Sequence, residues 1–203
     1  MRVFWTNVGL GLLLMAVFLS GLVMVSPARG DTVWESGVEA GWPAGASWNG
    51  LWTVQASSLS ANTGSRGVNI VGPSASGGDA FWLDLPSYGY QTLTWEYYFK
   101  IRDGLEVGDQ VTAEWTSDGQ TWLSLATYTE TAAGDWQLAS FVLPATANDN
   151  GDLKFRFLAK LGGSTDRMNF DDFKLSGALT PEPVTAVFLG VILLLKRRRQ
   201  GLP

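Results

Sequence analysis

The stretch LKFRFLAKL, residues 153–161, alternates between two kinds of side chain. Leu153, Phe155, Phe157 and Ala159 fall on one side of an extended chain, and Lys154, Arg156, Leu158 and Lys160 fall on the other. Because successive side chains of a β-strand point to opposite faces, the pattern predicts a strand with one buried and one solvent-facing side. Such a strand is typical of an antiparallel sheet.

Similar runs occupy most of the chain on both sides of this stretch. They are TVWES, LWTVQ, GVNIVG, AFWLDL, QTLTWEYYFKI, DQVTAEWTS, QTWLSLATY, DWQLASFVLP and NFDDFKLSG. Residues rich in Gly, Asn, Asp, Ser and Pro separate them, and no helical period interrupts them. Ten short strands predict an all-β fold, an antiparallel β-sandwich. Asp118-Gly119 and Asn150-Gly151 predict two tight hairpin turns.

The two ends of the 203-residue chain have a different composition from its middle. Arg2 precedes a stretch without charge, residues 8–25, and the small residues of SPARG follow it. This order predicts a secretory signal peptide over residues 1–30, with an uncleaved membrane anchor as the alternative. We expect the sandwich to span residues 31–178 and a separate C-terminal signal to span residues 179–203. Both ends are expected to be helical.

The charge and the missing residue types exclude several functions. Residues 31–180 carry eight basic and 18 acidic side chains, a net charge of −10, which disfavours nucleic-acid binding. The sequence has no cysteine and no histidine, which removes thiol chemistry, Ser-His catalysis and the commonest zinc ligands.

Two glutamates offer the main enzymatic alternative. Glu96 and Glu114 each lie beside a tryptophan in a predicted strand, and a glycosidase needs two carboxylates that face each other across a cleft. Charged residues alternating with tryptophan are equally typical of any half-exposed strand. We therefore expect a non-catalytic protein, with a glycan-active hydrolase as the less favoured reading.

Aromatic side chains are the candidate ligand contacts, because their flat faces can stack on sugar rings. Those in or next to Gly-rich loops are Trp42, Trp48, Trp52, Tyr88 and Tyr90. Those inside strand patterns, which we expect to fill the core, are Trp95, Trp115, Trp122 and Trp136.

Acidic residues near both ends of the sandwich suggest a metal site. Alternation places Asp171 on the apolar side of its strand with Phe173 and Leu175, and a buried carboxylate needs a cation or several hydrogen-bond donors. Chain ends of a domain often lie close together, so Glu35 could meet Asp171 or Asp172 around one calcium ion. The alternatives are that Asp171 accepts hydrogen bonds from backbone N–H groups at a strand bend, or that both acidic side chains are solvated.

Four segments carry a resemblance to known sandwich domains: VWESG, SDGQTW, DWQLASFVLPA and NFDDFKLSG. They resemble the jelly-roll domains shared by many carbohydrate-binding modules and MAM-type adhesion domains. In those families a glutamate near the first strand and an aspartate of the terminal pair hold a structural calcium. The resemblance implies the same roles for Glu35 and for Asp171 or Asp172.

The C-terminal tail has three parts in a fixed order. They are Pro181, Glu182 and Pro183, then twelve mostly apolar residues, then Lys196, Arg197, Arg198 and Arg199. Twelve helical residues reach about 18 Å, short of the roughly 30 Å of a bilayer interior. The cations would hold their end on the cytoplasmic side.

This layout resembles the PEP-CTERM sorting signal of Gram-negative bacteria. The resemblance implies that the tail inserts transiently into the membrane and is processed by an exosortase, with a plain tail anchor as the alternative. It also implies delivery to the cell surface or the extracellular matrix, often alongside exopolysaccharide. We therefore expect a secreted, non-enzymatic matrix protein that binds polysaccharide; a purely structural or adhesive protein is the main alternative.

Overall fold

The computed structural model describes residues 30–57 and 59–180. The strands are β1 (Asp31–Ser36), β2 (Ala46–Trp48), β3 (Trp52–Ala56), β4 (Arg66–Val71), β5 (Asp79–Asp84), β6 (Tyr90–Ile101), β7 (Gln110–Thr116), β8 (Leu123–Tyr128), β9 (Gln137–Val142), β10 (Lys154–Lys160) and β11 (Arg167–Leu179). A short 3-10 helix spans Ala145–Ala147. The predicted signal peptide and sorting tail lie outside the described residues. Within the described part, no helix has the length and hydrophobicity to cross a bilayer.

The strands form two antiparallel sheets. One has six strands in the order β3-β4-β11-β6-β9, with β1 also paired to β11. The other has five strands in the order β2-β5-β10-β7-β8. Neighbouring strands within each sheet run antiparallel. The predicted all-β sandwich is therefore confirmed, and it contains all ten predicted strands together with the three-residue β2.

An aromatic core lies between the sheets. Phe155 and Phe157 of β10 are each 1% exposed, and the ring of Phe155 stacks on Trp95 of β6 with centroids 4.2 Å apart. The intervening Arg156 is only half-buried. The alternation that predicted β10 is confirmed, because its apolar face contacts the opposite sheet and its cationic face lies outside.

A bulge in β11 changes which of its side chains face the core. Phe170 and Phe173 both lie in the core although they are three residues apart. The register to β6 shifts between Asp171 and Lys174, and Asp172 adopts a positive φ of 49°. The bulge adds one residue to β11, and Asp171 therefore lies on the opposite face from Phe173 and Leu175. The prediction that these three residues share a face is wrong.

The predicted tight turns are also corrected. β7 and β8 do form a hairpin, but its loop covers residues 117–122 and only Gly119, not Asp118, has a positive φ. The Asp118 carboxylate instead accepts hydrogen bonds from the backbone N–H groups of Gln120 and Thr121. No hairpin forms at Asn150-Gly151, because β9 and β10 belong to different sheets.

The loop between β3 and β4 folds back over β4 and depends on a glycine. A Cβ atom at Gly67 would lie 1.7 Å from the carbonyl oxygen of Ser60. We expect Gly67→Ala to lower the free energy of unfolding by about 2–3 kcal/mol, because the loop must move away from the strand. Urea unfolding followed by tryptophan fluorescence measures this change.

Gly77→Ala is the matched control, since a Cβ there meets no atom within 4 Å. Its expected effect stays within about 0.5 kcal/mol. Equal stabilities for the two variants would contradict the described position of the loop.

Candidate functional site

The outer surface of the five-stranded sheet carries a row of side chains in register. Trp82 on β5 is opposite Arg156 on β10, Arg156 is opposite Glu114 on β7, and Glu114 is opposite Ser124 on β8. Neighbouring strands are about 4.8 Å apart, so this row is about 14 Å long. We call the surface around this row the β10 face.

An ion pair fixes the centre of the β10 face. The Nε–H of Arg156 donates to Oε2 of Glu114 in a close contact. The guanidinium of Arg156 also lies over the ring of Trp122, 4.2 Å from the ring centroid. Arg156 is therefore held by one carboxylate and one aromatic ring, and its stacking positions Trp122 on this surface.

A groove of about 300 Å³ continues along the β10 face beside the ion pair. Its lining residues are Gln110, Thr112, Glu114, Ser124, Thr127, Leu158 and Lys160. Most of them carry hydroxyl or amide groups, which can donate hydrogen bonds to a sugar and accept hydrogen bonds from it. The β10 face thus combines two half-buried tryptophans, Trp82 and Trp122, with a polar groove.

Trp52 is not one of the surface aromatic residues. It is 2% exposed and packs against Phe81 and Phe170 in the core. The prediction that Trp52 contacts a ligand is wrong, because a sugar ring cannot reach it. The sequence around Trp52 fits either location, because Trp52 follows a Gly-rich loop and is also the first residue of β3.

Trp42 and Trp48 stack on each other at the edge of the sandwich. Their ring centroids are 3.8 Å apart and their planes differ by 13°. Trp42 also contacts Phe81 of the core, while Trp48 is 44% exposed. One face of each ring is used within the pair, and Trp48 is the more exposed of the two.

Tyr88 and Tyr90 lie in a different place, at the turn between β5 and β6. Tyr88 is 68% exposed and its ring lies against Gly151, whereas Tyr90 is packed partly against the core. The backbone carbonyl of Tyr90 accepts a hydrogen bond from the N–H of Asp149. The predicted aromatic residues therefore do not form one surface.

Glu96 and Glu114 lie on opposite outer surfaces of the molecule. Glu96 is in register with Ser140 of the six-stranded sheet and accepts a 2.9 Å hydrogen bond from the Ser140 Oγ–H. Glu114 lies on the β10 face, with the full thickness of the core between the two. They cannot act as the facing carboxylate pair of a glycosidase.

A second groove, of about 660 Å³, lies on the outer surface of the six-stranded sheet. Glu35, Glu96 and Asp172 line it, together with Tyr98 and Lys174. Lys174 is in register with Glu35 on one side and Glu96 on the other. Glu35 therefore faces solvent beside a cation.

Asp171 is buried beneath the β3–β4 loop. Its Oδ2 accepts hydrogen bonds from the backbone N–H groups of Asn62 and Thr63, at 2.8 and 3.2 Å. Its Oδ1 is buried and has no partner among the described residues. Burial raises the pKa of Asp171 to about 6, since desolvation disfavours the charged form.

The predicted calcium ligands are not equally suited to bind the ion. The free Oδ1 of Asp171 is suited to a cation, whereas both oxygens of Asp172 already accept hydrogen bonds from the side chains of Asn62 and Thr63. Among the described residues, no three acidic side chains are grouped so as to hold a metal. Asn69 and Asn169, which are cross-strand partners, also keep buried Oδ1 atoms without a donor in this part of the chain. Calcium binding at Asp171 stays a prediction.

Comparisons with known proteins identify the fold. No protein-family profile matches the sequence, and no curated protein is significantly similar to it. The K3 cleaved adhesin domain of Lys-gingipain from Porphyromonas gingivalis has a TM-score of 0.55 and 19% identity over 73% of this chain and 99% of its own. TmCBM61, solved with β-1,4-galactotriose, has a TM-score of 0.51 and 18% identity over 70% of this chain and 95% of its own.

A third structure adds to this comparison. The C-terminal family 22 carbohydrate-binding module of Clostridium thermocellum Xyn10B has a TM-score of 0.52 and 12% identity over 74% of this chain and 96% of its own. At these identities the likeness shows a shared fold. The chain therefore has the jelly-roll sandwich of carbohydrate-binding modules and adhesin domains.

Sequence reasoning missed the tryptophans of the β10 face. Trp82 alternates with Phe81 and Leu83 and shares its side of β5 with Asp84, which is a readable signal for a solvent-facing position. Trp122 is predicted to lie in the core because it sits inside a strand pattern, yet it precedes β8 and lies over Arg156. No local pattern predicts that long-range contact. Trp95 and Trp115 are buried in the core as predicted.

We predict that calcium stabilises the protein through Asp171. At a hundredfold excess over the dissociation constant, the free energy of unfolding should rise by about 2.7 kcal/mol at pH 7.5. The effect should disappear as the pH falls through about 6, because the pKa of Asp171 is about 6 and a protonated carboxyl is a poor ligand. Thermal melts with calcium or with a chelator measure it.

Asp171→Asn should abolish the calcium response, and Glu35→Gln tests whether the exposed glutamate takes part. Identical melting curves with calcium and with chelator at pH 7.5 would show that hydrogen bonds alone satisfy Asp171.

Proposed function

We propose that this chain is an exported, non-catalytic protein of the cell surface or extracellular matrix that binds polysaccharide through its β10 face. The observation that carries the proposal is the row Trp82–Arg156–Glu114, with Trp122 stacked on the arginine. Aromatic rings can stack on sugar faces, and the neighbouring hydroxyl and amide groups can bond to sugar hydroxyls.

The preorganisation of the surface supports this function. The Arg156–Glu114 pair lies on rigid central strands, and its side chains are only 23% and 16% exposed. A partly buried, paired guanidinium keeps its position, so little side-chain entropy is lost when a ligand binds beside it. Two of the structural neighbours support this role: one was solved with β-1,4-galactotriose and another is a cleaved adhesin domain.

The termini support export and sorting. Pro181 is the second residue after the end of β11 at Leu179, so the sorting motif directly follows the folded domain in the sequence. A signal peptide over residues 1–30 and a basic end at Lys196–Arg199 complete the arrangement. We propose that an exosortase of a Gram-negative bacterium processes this tail after its transient insertion into the membrane.

Removing either tryptophan of the β10 face should weaken polysaccharide binding. We expect Trp82→Ala and Trp122→Ala each to weaken it about tenfold, since truncating an aromatic contact of a binding surface costs on the order of 1–2 kcal/mol. Affinity electrophoresis through gels containing soluble β-glucans, xylans, mannans or galactans screens the ligand, and titration calorimetry measures the dissociation constant.

Trp48→Ala is the matched control, because Trp48 is the exposed tryptophan of the Trp42–Trp48 stack, away from the β10 face. Loss of binding in Trp48→Ala with retention in Trp82→Ala would move the site to the sandwich edge. No binding of any glycan by the wild-type protein would favour the purely structural or adhesive alternative.

Mass spectrometry of the mature protein tests the sorting proposal. We expect the species from producing cells to lack the four cations Lys196, Arg197, Arg198 and Arg199, because cleavage near Pro181–Pro183 removes them. Replacing Glu182 with alanine should leave the tail attached. A mature wild-type protein that still contains Arg199 would contradict exosortase processing.

A further inference from the structure

The charges of the β10 face differ from those of the domain as a whole. Three of the eight basic residues between positions 31 and 180 project from β10: Lys154, Arg156 and Lys160. Lys154 pairs with Asp84 at 3.3 Å, and Arg156 pairs with Glu114. Two of the three cations are thus neutralised by carboxylates on neighbouring strands.

Lys160 is the third cation, and it is exposed at the end of the groove. No carboxylate of the described residues lies within ion-pair distance of its Nζ. On β5 the nearest acidic residue is Asp79, the partner of Ala159, and its buried carboxylate accepts hydrogen bonds from the backbone N–H groups of Leu51 and Ala75. On β7 the nearest acidic residue is Asp109, which adjoins Gln110, the partner of Lys160. The Asp109 carboxylate is buried and accepts hydrogen bonds from the backbone N–H groups of Glu106 and Gly162.

The groove around Lys160 is otherwise neutral. Gln110, Thr112, Ser124 and Thr127 supply amide and hydroxyl groups, and the only carboxylate of the lining, Glu114, is paired with Arg156. A ligand in this groove therefore meets one uncompensated ammonium among groups suited to sugar hydroxyls. An ammonium donates its strongest hydrogen bonds to an anionic oxygen.

We propose that the glycan bound by the β10 face carries isolated acidic groups, carboxylate or sulfate, and that Lys160 receives them. This inference rests on the proposed polysaccharide-binding function and names the chemical class of its ligand. The remainder of the ligand is neutral, because every other charge lining the groove is already paired.

The charge of the whole domain limits how acidic the ligand is. Residues 31–180 have a net charge of −10, and this field repels a densely charged polyanion at low salt. A glycan with one acidic group among several neutral sugars experiences less repulsion while it still reaches Lys160. The β10 face therefore prefers a glycan with isolated acidic groups to one that carries an acidic group on every sugar.

Matched glycans test this inference with the full-length protein. Hexasaccharides of β-linked glucan, xylan, mannan and galactan are used in neutral form, with one uronic or carboxylate-bearing unit, and with one sulfate. In at least one series we expect about three- to tenfold tighter binding of an acidic form in 50 mM NaCl, decreasing toward equal binding in 500 mM NaCl. The carboxylate and sulfate forms distinguish the two sources of charge.

Variants assign the preference to one side chain. Lys160→Met should bind the neutral and acidic forms with equal affinity, whereas Lys160→Arg should retain the preference for the acidic form. Lys154→Met is the matched control, because its ammonium is already paired with Asp84 and its loss should leave the preference unchanged.

The outcomes separate the two proposals. Binding of neutral and acidic forms with equal affinity in every series, or a preference that survives Lys160→Met, would overturn the inference and leave polysaccharide binding in place. A hexamer of uronic acid is measured in the same way, and tighter binding of this fully charged form than of the singly acidic forms would also overturn the inference. Binding of none of these glycans would contradict polysaccharide binding itself, and the inference with it.

Discussion

The pairing of the last strand organises the whole sandwich. β11 is hydrogen-bonded to β6 along most of its thirteen residues, and on its other side it pairs first with β4 and then with β1. Three segments that are far apart in sequence therefore depend on one strand near the end of the chain. Such long-range pairing is expected to make folding slow, because the chain must close large loops before these contacts form. The aromatic core can assemble only when Phe170 and Phe173 arrive with β11.

The bulge in β11 links this pairing to the six-stranded surface. One additional residue keeps both phenylalanines in the core and moves Asp171 outward, where its carboxylate holds the β3–β4 loop through two backbone N–H groups. The same arrangement leaves Oδ1 buried without a donor and raises the pKa of the carboxyl. The cost of that unpaired oxygen is the physical reason to expect a cation or ordered water there. Polysaccharide binding is proposed on the other sheet, so the structural and ligand-binding roles are separated by the core.

The fold could be predicted from local patterns, whereas most of the site could not. Strict alternation in β10 identified the core-facing Phe155 and Phe157 and the outward Arg156, because a strand has a period of two. The same rule failed at Asp171, since no residue type in NFDDFKLSG marks the bulge. Glu96 and Glu114 have similar sequence surroundings, yet sheet order places them on opposite surfaces. The contact of Trp122 with Arg156 joins residues far apart in the chain, so only the paired strands reveal it.

The adjacent ends of the domain determine how it would carry mechanical load. Asp31 of β1 lies opposite Gly177 of β11, so both chain ends leave the sandwich at the same edge. A pull between the two ends would open the β1–β11 ladder one hydrogen bond at a time, which is a weak geometry. A pull along β11 against its neighbour β6 would instead shear their ladder and load many hydrogen bonds together. The β1–β11 ladder is thus the part of the domain that a force between its two ends would load first.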